Sequence, residues 1–388
     1  MKNLPQKVGT LPYRLSTRIA FFVAGFLMAS WAPLVAYAKN RLELNEATLG
    51  LLLLCVGVGS IICMPLAGPL AQRIGLRKVI VSSSLVFCAT LPGLAIAPNF
   101  TLMAFLLLLF GASLGLLDIC INFQAAAVER AAGLPLMSGF HGFFSIGTFV
   151  GASSGTALLS SGVSPILVTL IAAVSGAILT LAVYPRLVHS MSESSSNFFA
   201  LPRGIVSLLA ALTFICLLIE GAMLDWGAIL LGTLQHVPSE SGAIGYSLFT
   251  LTMSVGRLTG DWASAKLGDK SLLQLGAAIG VVGFAMILTQ DLGGALLGYM
   301  LIGAGVANIV PILFRAAINQ EDIPSAQALS AVATVGYLGV LMGPAAIGFI
   351  SHATSIKLAF SCLAALLGIV LLAASFATRS NMTANQES

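Results

Sequence analysis

One carboxylate, Asp118, lies inside a long apolar stretch that runs from residue 110 to residue 130. Gly111, Gly115, Asp118 and Asn122 are spaced four, three and four residues apart, which places them on one face of a helix. Such a small, polar stripe lets helices approach closely and gives the acid a partner other than lipid. A carboxyl group in apolar surroundings binds a proton more readily than one in water, so the sequence predicts a proton-coupling role for Asp118. The alternative is a structural acid that is hydrogen-bonded to a neighbouring helix.

A second pair of acids, Glu220 and Asp225, lies in another apolar stretch. A separation of five residues turns two helical side chains about 140° apart, which is too wide for a carboxylate dyad that shares one proton. Glu220 is expected to lie deeper in the membrane, and we favour it for proton binding and Asp225 with the adjacent Trp226 for contact with a substrate. Structural roles for both acids are the alternative.

Three further residues, Trp31, His141 and Asn308, are candidates for the path of a substrate, together with Asn122 and Trp226. Trp31 and Trp226 occur at similar depth in the first and seventh apolar stretches, where they could stack on a sugar ring or an aromatic solute; core or interfacial packing is the alternative. His141 has no His, Cys or Asp at metal-ligand spacing, so a hydrogen bond to a facing helix is favoured over a proton relay. Asn308, which shortly precedes a proline, is a candidate polar contact.

Arg257 is the one basic residue that falls inside an apolar stretch. It precedes Asp261 by four residues, which favours an ion pair along one helix, with the long side chain reaching towards the interface. Binding of an anionic substrate is the alternative role.

Other chemistries lack the partners that they require. The stretches 111–115 and 151–155 both fit G-x-S-x-G, but that motif needs a strand–turn–helix elbow and a His/Asp pair, whereas both lie in apolar helical runs where glycines serve helix packing. The six cysteines form no CxxC pair, and no phosphate-binding loop occurs. We therefore predict no catalytic residue, no metal and no cofactor.

The composition indicates a membrane protein. The chain has 388 residues, of which 58% are hydrophobic and 8% are charged, whereas an average soluble domain is about one-quarter charged. No Lys/Arg-rich run or basic helix is present, which argues against a nucleic-acid partner.

Apolar runs long enough to cross a membrane, roughly 17–25 residues each, follow one another along the chain. The first, residues 19–38, is too long for the apolar core of a signal peptide and is expected to be retained. The resulting fold class is an all-α membrane protein with twelve transmembrane helices, expected at residues 17–39, 46–71, 78–97, 101–128, 136–160, 165–185, 205–234, 241–264, 271–290, 293–316, 327–350 and 355–377.

The positive charges and an internal repeat organise these helices. Most of the eighteen Lys and Arg residues fall on the cytoplasmic side if the N-terminus is cytoplasmic, so both termini are expected in the cytoplasm.

A polar linker at 186–203 separates six-helix bundles at 1–185 and 204–388. SGFHGFFSIGTFVG, from Ser138, and SAVATVGYLGVLMG, from Ser330, align on one serine and two glycines. A six-helix unit repeated in one orientation implies a pseudo-twofold axis along the membrane normal, with a substrate site near the midplane.

The loop at residues 68–78, GPLAQRIGLRK, resembles the G-x-x-x-D-R-x-G-R-R/K loop of the major facilitator superfamily. In addition, LLDICINF is similar to the L-E-T-A-A-N-P segment of fucose-permease-like proton symporters, so that Asp118 and Asn122 match the acid and the asparagine of that segment. Lys39 lies where fucose permease carries an acid late in the first helix. Several segments look closer still to an uncharacterised branch of bacterial inner-membrane transporters. In the gating loop that this resemblance implies, Gly68, Arg73, Gly75, Arg77 and Lys78 fit the pattern, and Gln72 replaces the usual aspartate.

The resemblance implies a secondary transporter of the bacterial inner membrane that works by alternating access. Together with the buried acids, it leads us to expect proton-coupled symport of a sugar-like or small polar solute by a monomer. The expected partners are that solute, protons and membrane lipid. A proton-coupled antiporter that exports amphiphilic compounds, or a transporter-like sensor that does not transport, are the alternatives.

Overall fold

A computed structural model describes residues 6–44, 46–189, 203–235, 239–288, 291–320 and 323–377. Every regular element in these ranges is a helix, which confirms the predicted fold class. Contacts divide the chain into two compact units, residues 1–136 with 140–200, and residues 137–139 with 201–388. Most of the linker expected at 186–203 lies outside the described residues.

The first unit contains eight α-helices. The predicted boundaries agree with the observed ones to within a few residues, except at the N-terminus, where the first helix begins six residues earlier. The helices are α1 (Leu11–Ser30), α2 (Val35–Arg41), α3 (Glu46–Cys63), α4 (Ala67–Ile74), α5 (Leu76–Ile96), α6 (Phe100–Ala132), α7 (Met137–Ser160) and α8 (Pro165–Val183).

The second unit contains seven further α-helices, and the first turn of α7 is counted with it. Its helices are α9 (Ile205–Gln235), α10 (Ser239–Leu267), α11 (Asp269–Ile287), α12 (Leu292–Val306), α13 (Ile309–Ile318), α14 (Ser325–Ala353) and α15 (Ile356–Ala377). Across the described ranges, eleven segments are long and apolar enough to cross a membrane. The remaining predicted span is α10, which is 29 residues long but carries more polar and charged residues.

Three of the predicted spans are interrupted, and each interruption contains or precedes a proline. Pro33 and Pro65 lie in the short 3-10 turns that separate α1 from α2 and α3 from α4. Pro311 lies just after the break between α12 and α13. Proline has no N–H to donate to the carbonyl four residues earlier, so each of these helices loses a hydrogen bond where it bends.

Glycine stripes hold neighbouring helices together, as the sequence predicted. A Cβ on Gly147 or Gly151 of α7 would overlap the carbonyl oxygens of Phe22 and Phe26 in α1. In the second unit, Gly339 and Gly343 of α14 approach the α9 backbone in the same way. The repeated glycines therefore perform the same packing task in both units.

The stripe of α6 packs against α3. A Cβ on Gly111 would overlap the Val56 carbonyl oxygen, and one on Gly115 would lie 2.6 Å from the Ser60 carbonyl oxygen. The Ser60 hydroxyl donates a hydrogen bond of 2.8 Å to the Gly111 carbonyl. This close packing fixes the rotation of α6, and with it the direction of the polar residues that follow on the helix.

Candidate functional site

Asp118 lies near the middle of α6 and is 4% exposed. The helix is well terminated: the Asn99 side chain accepts from the Leu102 amide at its start, and Gly133 adopts a left-handed conformation at its end. Asp118 is eighteen residues from the start, or about 27 Å at 1.5 Å per residue. The carboxyl group is therefore held deep within the helical bundle of the first unit.

Asn122 and His141 join α6 to α7 beside this acid. Asn122 is fully buried, and its Nδ2 donates to the Asp118 backbone carbonyl at 2.9 Å. Its Oδ1 lies 3.2 Å from His141 Nε2, and because Oδ1 can only accept, Nε2 must carry the proton in this arrangement. The Phe21 ring meets the imidazole edge-on at 5.1 Å. The expected hydrogen bond from His141 to a facing helix is thus present.

The second unit brings Glu220 of α9 and Arg257 of α10 together. Arg257 Nη2 lies 3.0 Å and 3.1 Å from the two carboxylate oxygens of Glu220. The Arg257 side chain is 11% exposed and the Glu220 side chain is 19% exposed. Glu220 is fifteen residues from either end of α9, or about 22 Å along the axis. The ion pair therefore lies at the centre of a spanning helix.

The break in the tenth predicted span supports the same arginine. Pro311 cannot donate to the Ala307 carbonyl, and Arg257 Nε donates to that oxygen at 3.3 Å. The adjacent Asn308 is 9% exposed, and its Nδ2 donates to the Gly256 carbonyl at 3.0 Å. A Cβ on Gly260 would overlap the Asn308 side chain. Two glycines on α10 thus make room for the break beside Arg257.

The described partners of Arg257 and Asp261 differ from the pair that the four-residue spacing favoured. Arg257 meets Glu220, whereas the Asp261 carboxylate accepts from the backbone amides of Ser138 and Gly139 at 2.9 Å and 2.8 Å. Both amides belong to the first turn of α7, which is counted with the second unit. Partners this far apart in the chain give no periodic signal.

The remaining substrate-path candidates, Trp31, Trp226 and Asp225, differ in burial and in their neighbours. Trp31 lies at the break between α1 and the following turn, is 6% exposed, and has no hydrogen-bond partner for Nε1 among the described residues. Trp226 is partly exposed and packs near Gly348, while the next residue, Gly227, accepts a hydrogen bond from the Tyr299 hydroxyl. The Asp225 backbone is helical, and its side chain lies outside the described part of the chain. Their roles towards a substrate stay predictions.

The predicted gating loop is tied to its own unit. Arg77 Nε and Nη2 donate to the Leu187 carbonyl at 2.9 Å and 2.6 Å, and Nη2 reaches the Pro185 carbonyl at 3.3 Å. The guanidinium also lies 5.2 Å from the centre of the Tyr184 ring. The other members follow one another through the turn: Gly68, Gln72 and Arg73 on α4, Gly75 at φ 97°, and Lys78 in the first turn of α5.

The turn is repeated in the second unit, where Gly268 has φ 75° between α10 and α11. There, Arg315 Nη1 bonds Asp269 at 2.7 Å and Ser264 at 3.1 Å. The sequence analysis did not identify this buried cluster. Among the described residues, no group of three or more His, Cys, Asp and Glu side chains could hold a metal ion.

Comparison with known proteins agrees with this architecture. The family model of the Major Facilitator Superfamily matches residues 18–320, more than half of the chain. The chain is 44% identical to an uncharacterized MFS-type transporter of Yersinia pestis, YPO1221/y2967, over 94% of this chain and 96% of that protein. It is 30% identical to the membrane protein MosC of Rhizobium meliloti, over 92% of this chain and 87% of MosC. The chain belongs to the major facilitator superfamily.

Solved structures show the same fold. The transporter FucP in its outward conformation matches with a TM-score of 0.74 at 18% identity, covering 95% of this chain and 99% of FucP. The human organic anion transporter MFSD10 (TETRAN) matches with a TM-score of 0.74 at 14% identity, covering 96% of this chain and 100% of that protein. The protein is therefore a multi-pass membrane transporter with a fucose-permease-like fold, and not an enzyme.

Proposed function

We propose that this protein is a proton-coupled secondary transporter that carries a small polar solute into the cell by alternating access. The observation that carries the proposal is the position of Asp118, an acidic residue that is 4% exposed and lies near the middle of α6. An ionisable residue costs about 2.5–3.5 kcal/mol at the centre of a membrane helix on insertion scales, so such a residue is a functional candidate by default. In this proposal, Asp118 binds and releases the coupling proton.

The neighbours of Asp118 suit that task. Asn122, one turn further along α6, and His141 form a hydrogen-bonded polar pair, and this pair can hydrogen-bond a solute hydroxyl group. Glu220 is the second proton-binding group in the proposal. Trp31, Asp225, Trp226 and Asn308 are assigned to the solute path.

A related structure supports the coupling ion. The E. coli protein FucP is described as a fucose:proton symporter, and it matches this chain with a TM-score of 0.72 at 16% identity. That similarity concerns the fold, and the proposal of proton coupling also needs the acid at Asp118. We further propose that the transporter acts as a monomer in the bacterial inner membrane, with both termini in the cytoplasm.

The proposal is tested with purified protein in proteoliposomes. A thermal-shift screen of sugars, polar metabolites and amphiphilic compounds first identifies a ligand, because ligands that bind only the folded state raise its stability. Uptake of that ligand is then measured with and without an inward proton gradient. Asp118→Asn should keep exchange of labelled for unlabelled solute and lose proton-driven accumulation.

Ser113→Ala is the matched control. Ser113 is buried on the same helix, and its hydroxyl donates to the Leu109 carbonyl of that helix. This variant should accumulate solute like the wild type. If Asp118→Asn also accumulates solute with an unchanged pH dependence, Asp118 is not the coupling site. Solute leaving as protons enter would establish antiport instead of symport.

A further inference from the structure

The N-terminal end of α1 carries two arginines, Arg14 and Arg18, one helical turn apart. We propose that this end of α1, together with Phe143 of α7, binds the phosphate group of an anionic phospholipid at the membrane surface. The inference assigns a lipid partner to the first unit. It goes beyond the proposed transport and uses neither the substrate nor the coupling proton of that proposal.

The guanidinium of Arg18 lies against an aromatic ring. Its Cζ is 5.5 Å from the centre of the Phe143 ring. Its Nε is buried and has no hydrogen-bond partner among the residues that the structure describes. The face of the ring attracts the positive charge, but it supplies no oxygen for the N–H groups of the guanidinium. Phosphate oxygens are acceptors that match the planar fork of an arginine, so a phosphate group suits this side chain.

Arg14 adds a second positive charge on the same side of the helix. Its Nε donates to the Gly9 carbonyl at 2.7 Å, which holds the side chain near the start of α1. Within the described ranges, neither Arg14 nor Arg18 is paired with a carboxylate. Side chains four residues apart are neighbours on a helix surface, and like charges at that spacing repel each other. An anion bound by both arginines removes this repulsion.

Exposed leucines accompany the two arginines. Leu11 is 69% exposed and Leu15 is 49% exposed. Residues 11, 14, 15 and 18 have the spacing of one helix face, so the leucines and the arginines form a single surface. A phospholipid fits such a surface because its acyl chain can contact the leucines while its phosphate contacts the arginines. A soluble anion would use only the charges.

The arginines lie at the right depth for a lipid headgroup. The first apolar segment that could cross a membrane begins at Leu11, and Arg18 is seven residues further, or about 10 Å along the helix axis. Helical side chains lean towards the N-terminus, and a long arginine side chain can extend its charge to the interface. Both guanidinium groups therefore reach back towards the end of the span, where phospholipid phosphates are found.

The second unit lacks this feature. The glycine packing described above makes α9 the counterpart of α1, and the stretch at its start, residues 205–213, contains no Lys or Arg. The shared scaffold therefore forms without arginines at this place, which favours a binding role over a packing role for Arg14 and Arg18.

The test uses the purified full-length protein, delipidated in detergent, with palmitoyl-oleoyl phosphatidylglycerol as the probe. Native mass spectrometry measures the affinity of the first lipid that binds. Palmitoyl-oleoyl phosphatidylcholine, which has the phosphate but no net charge, should bind more weakly. Each of Arg14→Gln and Arg18→Gln should weaken phosphatidylglycerol binding about fivefold, and the double variant about 25-fold, because each basic residue near the membrane surface contributes a similar factor.

Arg203→Gln is the matched control. Arg203 is an exposed basic residue shortly before α9, and its loss removes the same charge without touching the proposed site. This variant should bind phosphatidylglycerol like the wild type. Arg18→Lys should keep part of the affinity, because lysine keeps the charge without the fork. Equal melting temperatures of the arginine variants without lipid would show that lost binding is not lost folding.

Three results would overturn the proposal. One is equal binding of phosphatidylglycerol and phosphatidylcholine by the wild type. Another is an equal loss of affinity in Arg203→Gln and Arg18→Gln, which would indicate a general effect of charge. The third is displacement of phosphatidylglycerol by inorganic phosphate at concentrations similar to those of the lipid, which would assign the two arginines to a soluble anion.

Discussion

The Glu220–Arg257 pair allows a quantitative prediction about stability. Two unit charges 3.0 Å apart attract by about 5.5 kcal/mol at an effective dielectric constant of about 20. Desolvation of both groups offsets much of this attraction, and removal of one partner from a buried pair costs roughly 3–5 kcal/mol because the other charge is left behind. Since both side chains keep partial exposure, we expect each single variant, Glu220→Gln and Arg257→Gln, to lose about 3 kcal/mol.

The double variant should lose less stability than the sum of the losses of the two single variants. With both charges removed, the remaining amides can hydrogen-bond each other, so the total loss should stay near that of one single variant. The expected coupling energy is therefore at least about 2 kcal/mol, well above the 0.3–0.5 kcal/mol within which independent sites add. Unfolding by SDS in mixed micelles measures the wild type, both single variants and the double variant under one condition. Additive losses would refute the reasoning that the two charges stabilise each other.

Two further predictions concern helix packing and topology. Gly111→Val should prevent recovery of monodisperse protein, because the added side chain meets the Val56 backbone. Gly368→Ala is the control and should be tolerated, because a Cβ there meets nothing within 4 Å. Size-exclusion chromatography after membrane extraction compares the two variants. If both termini are cytoplasmic, alkaline phosphatase fused after Ser388 should be inactive and green fluorescent protein fused there should be fluorescent. Fusions after Gly162 should give the opposite result. The reverse pattern at the two sites would contradict the proposed orientation.

The helical architecture could be predicted because it depends on local signals. The hydropathy of each stretch located the spans, and glycines four residues apart identified the faces that pack closely, such as Gly147 with Gly151. The break before Pro311 also has a local cause that a closer reading could have found, since proline leaves the Ala307 carbonyl without its usual donor. These features require knowledge of only one helix at a time.

The charged contacts could not be predicted in the same way. Glu220 and Arg257 lie 37 residues apart on different helices, and their meeting depends on how α9 and α10 are rotated about their axes. Helical spacing instead proposed Asp261 for Arg257, because one helix reveals ion pairs only between residues three or four positions apart. The rotation is set by packing residues elsewhere, including the Gly256 and Gly260 notch that receives Asn308.

The two units share a scaffold and differ in their chemistry. The glycine packing of α7 on α1 is repeated by α14 on α9, and the Gly75 turn is repeated by Gly268. At the middle of the spans, however, the first unit has the Asn122 amide between the Asp118 backbone carbonyl and the His141 imidazole, whereas the second places an acid on a guanidinium. The duplication therefore accounts for the packing alone, and the proposed proton-binding roles follow from residues that the two units do not share.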